Sequence, residues 1–329
     1  MCTAITYQTK DFYFGRTLDH HVSYGEEVVV MPRSFPLAFR HEGRCDRHYA
    51  AIGMAVVPRG YPLYYDAANE CGLCVAGLRF AKNAVYRPAQ AGKCNLAQFE
   101  LIPFLLAKCA DVGEAKEYLS RLNVTDEAYA EDMPPAPLHW LIADEREAIV
   151  VEPLAGGVSV RENPVGVMTN DPPFSEQIAQ LARHMALSPR SPKNAFCPAL
   201  DLRPSGLGSG AFGLPGDLSS QSRFVRAAFV RCNARSDGGE EESVNAFFHI
   251  LGSVEQVRGC CVGDNGEEEV TLYSSCCNAR TGTYYYTTYE NHAVTAVPVG
   301  EREGTKLVRI PLVRRERIFC ADAGAKESE

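Results

Sequence analysis

The stretch that decides the fold stands first: MCTAITYQTKDFYFGRTLD, Met1 to Asp19. It reads as two short strands, residues 3–7 and 12–15, rich in β-branched and aromatic side chains and joined by the turn Gln8-Thr-Lys-Asp11. Such a hairpin returns Arg16 and Asp19 to the neighbourhood of Cys2. Methionine ahead of a small residue is readily removed, which would leave Cys2 at the terminus. A terminal cysteine joins a nucleophilic thiol to an α-amino group whose ordinary pKa, about 7.7–8, lets it accept a proton near neutrality. That site needs no histidine. A guanidinium near the sulfur would favour thiolate, and a carboxylate would orient the amine. Two plainer alternatives stand beside this reading. Small residues are common at position two, and Arg16 and Asp19 can form a local ion pair of no consequence.

Outward from the hairpin, residues 28–31, 51–57 and 72–78 read as further strands. Helical periodicity follows at 99–109, where Pro103 must sit in the first turn or kink the helix. A second helix, 115–122, follows the capping-box pattern Asp111-Val-Gly-Glu114. Strand pattern returns at 148–152. Helices are expected at 175–187, at 223–232 behind Ser219-Ser220, and at 243–251. Strands 270–276, 283–289 and 293–299 close the chain, the first two forming a hairpin. Blocks of strands alternating with blocks of helices predict an α+β protein with antiparallel sheets. Residues 134–135, 188–204 and 236–242 are linker candidates, but none shifts composition, so one domain over 1–329 is expected.

Composition narrows the function. Of 329 residues 46% are hydrophobic, and 33 Lys and Arg against 41 Asp and Glu leave a net charge of −8. That balance argues against a nucleic-acid partner. No apolar run reaches the ~18 residues of a membrane helix, and the first ten residues lack the pattern of a secretory signal. A cytoplasmic protein without a membrane partner is the expectation.

The thirteen cysteines are odd in number and irregularly spaced. Cys71-Gly-Leu-Cys74 lacks the second pair that a zinc site requires, so no metal is expected. The doublets Cys260-Cys261 and Cys276-Cys277 read as buried small hydrophobes. Gly208-Ser-Gly210-Ala-Phe-Gly213 has the letters of a dinucleotide fingerprint, yet Pro204 and Leu214-Pro-Gly make its context a loop. It is set aside as a cofactor site, though it can wall one. The eight histidines show no metal spacing: His20 and His21 should point opposite ways on a strand, and His139 suits a buried place.

Cys2 with Phe14-Gly-Arg16 and Asp19 resembles the opening of the choloylglycine hydrolase family, N-terminal-nucleophile enzymes that include bile salt hydrolases and penicillin V acylases. The likeness continues through Pro62-Leu-Tyr-Tyr-Asp66, Ala76-Gly-Leu78, Pro137-Leu-His-Trp140 and Val165-Gly-Val-Met-Thr-Asn-Asp-Pro-Pro173. Gly213-Leu-Pro-Gly-Asp-Leu-Ser-Ser220, Ser222-Arg-Phe-Val225, Phe247-Phe-His249, Tyr273-Ser-Ser-Cys-Cys-Asn278 and Tyr284-Tyr-Tyr-Thr-Thr-Tyr289 extend it over essentially the whole chain, nearest the bile salt hydrolase branch. The resemblance implies the αββα four-layer sandwich, two antiparallel sheets between helical layers, usually assembled as a homotetramer and without a cofactor. It implies that Cys2 is the nucleophile and, through its α-amino group, the base. Arg16 and Asp19 would flank it, Asn170 would serve the oxyanion hole, and Arg223 would stabilise the site.

One position departs from the pattern. The branch carries Asn after Ala-Gly-Leu as a second oxyanion donor, and this chain has Arg79. Such a donor is typically worth ~2.7–4 kcal/mol of barrier, and arginine is itself a charged donor. Arg79 therefore reaches the oxyanion, meets the anionic head of a substrate, or impairs the site. Asp171 is a candidate partner for it. The implied activity is hydrolysis of glycine- or taurine-conjugated bile acids through a thioester acyl-enzyme, from which transfer to another amine also follows. The rivals are a penicillin V acylase-like or other N-acyl amide hydrolase, and a catalytically weak bile-acid-binding relative. Val22, Tyr24, Pro58, Tyr61 and Pro134 are the candidate walls of an apolar acyl pocket.

Overall fold

The computed structural model describes residues 1–300, 302–315 and 318. The first strands are Cys2–Gln8 (β1), Phe12–His20 (β2), Glu27–Met31 (β3), Leu37–Phe39 (β4), Gly43–Cys45 (β5) and Ala51–Val56 (β6). Leu63–Asn69 (β7), Cys74–Arg79 (β8) and Cys94–Ala97 (β9) precede helices Leu101–Lys108 (α1) and Val112–Leu119 (α2). Strands Leu122–Thr125 (β10), Leu138–Ala143 (β11), Ala148–Leu154 (β12), Gly157–Glu162 (β13) and Val167–Met168 (β14) follow. Helices Phe174–Gln180 (α3), Ser220–Asn233 (α4) and Glu240–Gly252 (α5) lead to Val270–Asn278 (β15), Thr283–Thr288 (β16), Asn291–Pro298 (β17) and Val308–Pro311 (β18).

Two antiparallel sheets dominate. One has six strands in the order β14-β1-β2-β15-β16-β17, the other eight in the order β13-β12-β11-β8-β7-β6-β3-β18. Helices α4 and α5 pack on the first sheet, α1 packs on β7 and β8 of the second, and β1 and β2 face β8 across the middle. The chain is thus the expected α+β four-layer sandwich. Period-two alternation explains the layers. Val28 and Val30 join the core between the sheets, whereas Val29 and Met31 join the core under α1 and α2. Leu141 and Trp140 divide in the same way. Strands buried on both faces read as continuous apolar runs, as residues 72–78 did in the sequence.

Several boundaries differ from expectation. Strand β2 runs on to His20 because Arg16 and Asp19 are buried inside it. The helix expected over 175–187 ends at Gln180 and tightens into a 3₁₀ turn, Leu181–His184, with no buried residue. Pro103 lies in the first turn of α1, where its missing N–H costs nothing. The Asp111 side chain caps α2 by accepting from Glu114 N at 2.9 Å, and Ser219 caps α4. The imidazoles of His20 and His21 stack, ring centroids 4.4 Å apart, instead of pointing apart, because β2 ends between them. Cys276 and Cys277 are buried in β15 as expected, and burial pushes both thiols well up. Cys260 is exposed and Cys261 half-buried, contrary to expectation, since both sit in a loop before β15. Among the described residues no helix is long and apolar enough to cross a membrane.

Candidate active site

Cys2 pairs with Leu18 and Ala4 with Arg16 across the β1–β2 ladder. Side chains alternate across a strand, so Arg16 shares a face with Cys2, and Asp19 takes the opposite face. The two therefore form no ion pair and reach the start of β1 from opposite sides. Arg16 points between the sheets: Nη1 donates to Gly77 O at 2.5 Å and to Tyr65 O at 3.3 Å, and Nε to Thr17 O at 3.1 Å. Its Nη2 is buried with no partner among the described residues. Burial works against the charge, but Cys2, Tyr273, Asp66 and Asp19 outweigh it and keep the guanidinium firmly protonated.

Asp66, quoted in the sequence only as part of a motif, is the buried anion beside Arg16. It accepts from Tyr273 and Tyr284 hydroxyls, each at 2.7 Å, and from Ser275 at 3.0 Å. Burial raises its carboxyl against the pull of Arg16 and those hydroxyls. Asp19 accepts from Thr271 Oγ1 at 2.7 Å and Thr17 Oγ1 at 3.3 Å. Burial raises this carboxyl too, against the N-terminal ammonium, Arg223 and the two hydroxyls. Thr271 reaches Asp19 through a bulge in β15 between Thr271 and Tyr273, the kind of irregularity that re-aims a side chain.

Asn170 arrives by register. Strand β14 pairs Ala4 with Met168, and the same antiparallel register carried to the strand end sets Asn170 beside Cys2. Its Oδ1 accepts from Cys2 N at 2.9 Å and from Arg223 Nη2 at 2.7 Å, and its Nδ2 donates to Arg79 O at 2.8 Å. Two N–H donors on one atom fix the orientation of the amide. The second Nδ2 hydrogen has no partner among the described residues. Behind Asn170, buried His139 bonds Thr169 O at 2.8 Å and faces Glu152 at 3.4 Å. Ser220 Oγ accepts from Asn170 N at 2.9 Å.

Arg223, in the first turn of α4, is 0% exposed. Its Nη1 donates to Cys2 O and Thr3 Oγ1, each at 2.6 Å, and its Nε to Leu218 O at 3.1 Å. Burial lowers its pKa against the opposing charges of Asp19, Cys2 and Glu269. The cysteine thus has both its nitrogen and its carbonyl held, with buried Arg16 on its own face of the β1–β2 ladder and buried Asp19 on the other.

Arg79 ends β8 with its side chain exposed and without a hydrogen bond or ion pair among the described residues. The pairing with Asp171 does not occur: its Oδ1 accepts from Asn83 Nδ2 at 2.7 Å and Lys82 N at 3.1 Å, and Arg79 does not reach it. Among the candidate walls, Val22 and Tyr24 are exposed beyond β2, and the Tyr24 ring lies 5.4 Å from that of His20. Tyr61 packs against Phe99 and Tyr129, and Pro58 O accepts from Tyr129 at 2.7 Å. Pro134 follows in the same loop as Tyr129; no hydrogen bond or ion pair ties this cluster to Cys2 among the described residues. The loop 208–213 forms one 3₁₀ turn, Ser209–Ala211.

Comparison with known proteins finds likeness over most of the chain. The sequence profile of the linear amide C–N hydrolases, choloylglycine hydrolase family, matches residues 2–303. A bile salt hydrolase/transferase of Lactiplantibacillus plantarum is 48% identical over 98% of this chain and 100% of its own. A conjugated bile acid hydrolase of Lactobacillus acidophilus is 37% identical over 87% of this chain and 92% of its own. A solved variant of conjugated bile acid hydrolase from Clostridium perfringens superposes with a TM-score of 0.90 at 31% identity, covering 98% and 100% of the two chains. Penicillin V acylase from Agrobacterium tumefaciens, at 19% identity and a TM-score of 0.75 over 94% and 90%, shares the fold.

Proposed function

The chain belongs to the choloylglycine hydrolase family and is a hydrolase of linear amides, and on that footing we propose that it cleaves the amide joining a bile acid to glycine or taurine. The likeness to relatives named for that reaction supports the substrate. The observation that carries the mechanism is the seat of Cys2, its nitrogen on Asn170 and its carbonyl on Arg223 at the start of the first strand.

Removal of Met1 frees the Cys2 nitrogen as an α-amine, which Asn170 Oδ1 and the Asp19 carboxylate keep oriented. The thiol gives its proton to that amine, and Sγ attacks the amide carbonyl. As the C–S bond forms, the oxyanion accepts from the unpartnered Nδ2 hydrogen of Asn170, in the positive field of Arg16 and Arg223. The α-ammonium then protonates the departing nitrogen, the C–N bond breaks, and glycine or taurine leaves. Water, giving its proton to the α-amine, hydrolyses the thioester and restores the thiol. The exposed Arg79 is suited to the anionic head of the conjugate rather than to the buried oxyanion. In this reading the whole chain acts as one N-terminal-nucleophile hydrolase domain, in the cytoplasm.

Intact mass, measured with release of taurine, glycine and 6-aminopenicillanic acid, tests the proposal. The expected result is a chain without Met1 that liberates taurine or glycine, with turnover falling about 10³-fold or more in Cys2→Ala. Full turnover with Met1 retained would overturn the mechanism. Preferential release of 6-aminopenicillanic acid would overturn the substrate in favour of an acylase.

A further inference from the structure

In the unprocessed chain Met1 acts as a built-in probe of the space beside the Cys2 nitrogen. Its ammonium donates to Asp19 O at 2.8 Å and to a carboxylate oxygen of Glu269, and its carbonyl accepts from Asp19 N at 2.9 Å. Glu269 is mostly buried, its side chain 19% exposed, and no step of the proposed mechanism uses it. Peptide bond lengths put the Met1 nitrogen roughly 2.8–3.6 Å from the Cys2 nitrogen. That is about the span of a direct proton transfer.

After Met1 is removed, one direction of the Cys2 amine remains committed to Asn170 Oδ1. Another runs along the former peptide bond, toward the position that the Met1 ammonium occupies. Any nitrogen that exchanges a proton with Cys2 along that direction meets the two acceptors that now bind Met1.

The geometry points to Glu269, with the main-chain oxygen of Asp19, as an ammonium subsite for the reacting amine. It holds the departing amine in hydrolysis and admits an incoming primary amine to the acyl-enzyme. The inference rests on the amidase reading above. In acylation the C–S bond forms and the C–N bond breaks while the α-ammonium gives its proton to the nitrogen. The freed amine takes a further proton from water and rests on Glu269 as ammonium. In the reverse sense that ammonium returns one proton to water, and its nitrogen attacks the thioester. A second proton passes to the α-amine as the C–N bond forms and the thiolate departs.

The test is Glu269→Gln, which keeps the shape and removes the charge. Intact masses first establish that both proteins lack Met1. Each is then assayed on a taurine conjugate and on the p-nitrophenyl ester of the same bile acid, whose leaving group is no amine. The ratio of amide to ester kcat/KM should fall about tenfold, the size of one charged hydrogen bond. With methylamine present, the ratio of amide product to free acid from the ester should fall about as much. Equal losses on amide and ester, or an unchanged product ratio, would overturn the subsite. A wild-type protein that cleaves the ester but no bile acid conjugate refutes the amidase reading alone, because the product ratio still reports on Glu269.

Discussion

Arg79 stands where a charged side chain is least constrained and most consequential. Its backbone oxygen is tied to Asn170, yet its guanidinium is exposed and unpartnered among the described residues. For the proposed substrate, the conjugate's carboxylate or sulfonate is the complementary charge. An exposed ion pair is worth about 0.2–1 kcal/mol, so Arg79→Asn should raise KM for glycine and taurine conjugates about threefold with little change in kcat. A KM unchanged for anionic conjugates, or a large gain in kcat, would instead mark Arg79 as an obstruction of the oxyanion site. That Arg16 and Asp19 come back toward Cys2 was legible in the first hairpin, whereas Asn170 and Arg223, which meet Cys2 across the fold, came only from the family resemblance. Asp66 and Thr271 were not legible, since their partners lie far off in sequence: Tyr273, Tyr284 and Ser275 for Asp66, and Asp19 for Thr271. A buried carboxylate among distant hydroxyls leaves no local signal. The expected Asp171 partner failed for the converse reason: its Oδ1 bonds to its local neighbours, the Asn83 side chain and Lys82 N–H, rather than to Arg79.

Strand β2 is the element on which the site depends, because it carries Arg16 and Asp19 on opposite faces and lies between β1 and β15. Gly15 in β2 lies directly against the backbone of β15. A Cβ there would lie 2.0 Å from Ser275 O and 2.9 Å from Cys276 Cα, and neither can yield without opening the ladder. Gly15→Ala should therefore destabilise the protein by about 3 kcal/mol, read as a lowered urea midpoint, and should also reduce activity by shifting the adjacent Arg16. An unchanged midpoint would mean that β2 and β15 separate more easily than their register implies. Hairpins and helix caps could be read from the sequence because turn residues and cap side chains act within a few positions. Sheet order could not. The two-residue strand β14 and the bulge in β15 were invisible too, as both exist only through pairing with strands far away in the chain. Strand β2 was cut short at Gly15 because buried arginine and aspartate look like the end of a strand until their partners are known.

At the scale of the molecule, the segment between α3 and α4 is the part whose chemistry fits the surface least. Phe196 is 89% exposed, Leu207 102% and Phe212 93%, with Met185 at 85%. Large apolar side chains left exposed within one segment are the kind of surface that interaction faces use. A second copy of the chain is the occupant to propose, since closed homo-oligomers are the commonest assemblies of folded proteins, in keeping with the homotetramer expected at the outset from the family resemblance. Burying a side chain of this size is worth about 1.5–3 kcal/mol. The pair Leu207→Ser and Phe212→Ser should thus weaken assembly by about 3 kcal/mol or more per subunit, at least roughly a hundredfold in the association constant. Light scattering over a dilution series should find the wild type as a tetramer and the double variant as smaller species at the same concentration. Both residues lie outside the Cys2 cluster, so the dissociated variant should keep its folded circular dichroism spectrum. A wild type that stays monomeric at high concentration would leave this apolar segment without its proposed partner and overturn the tetramer.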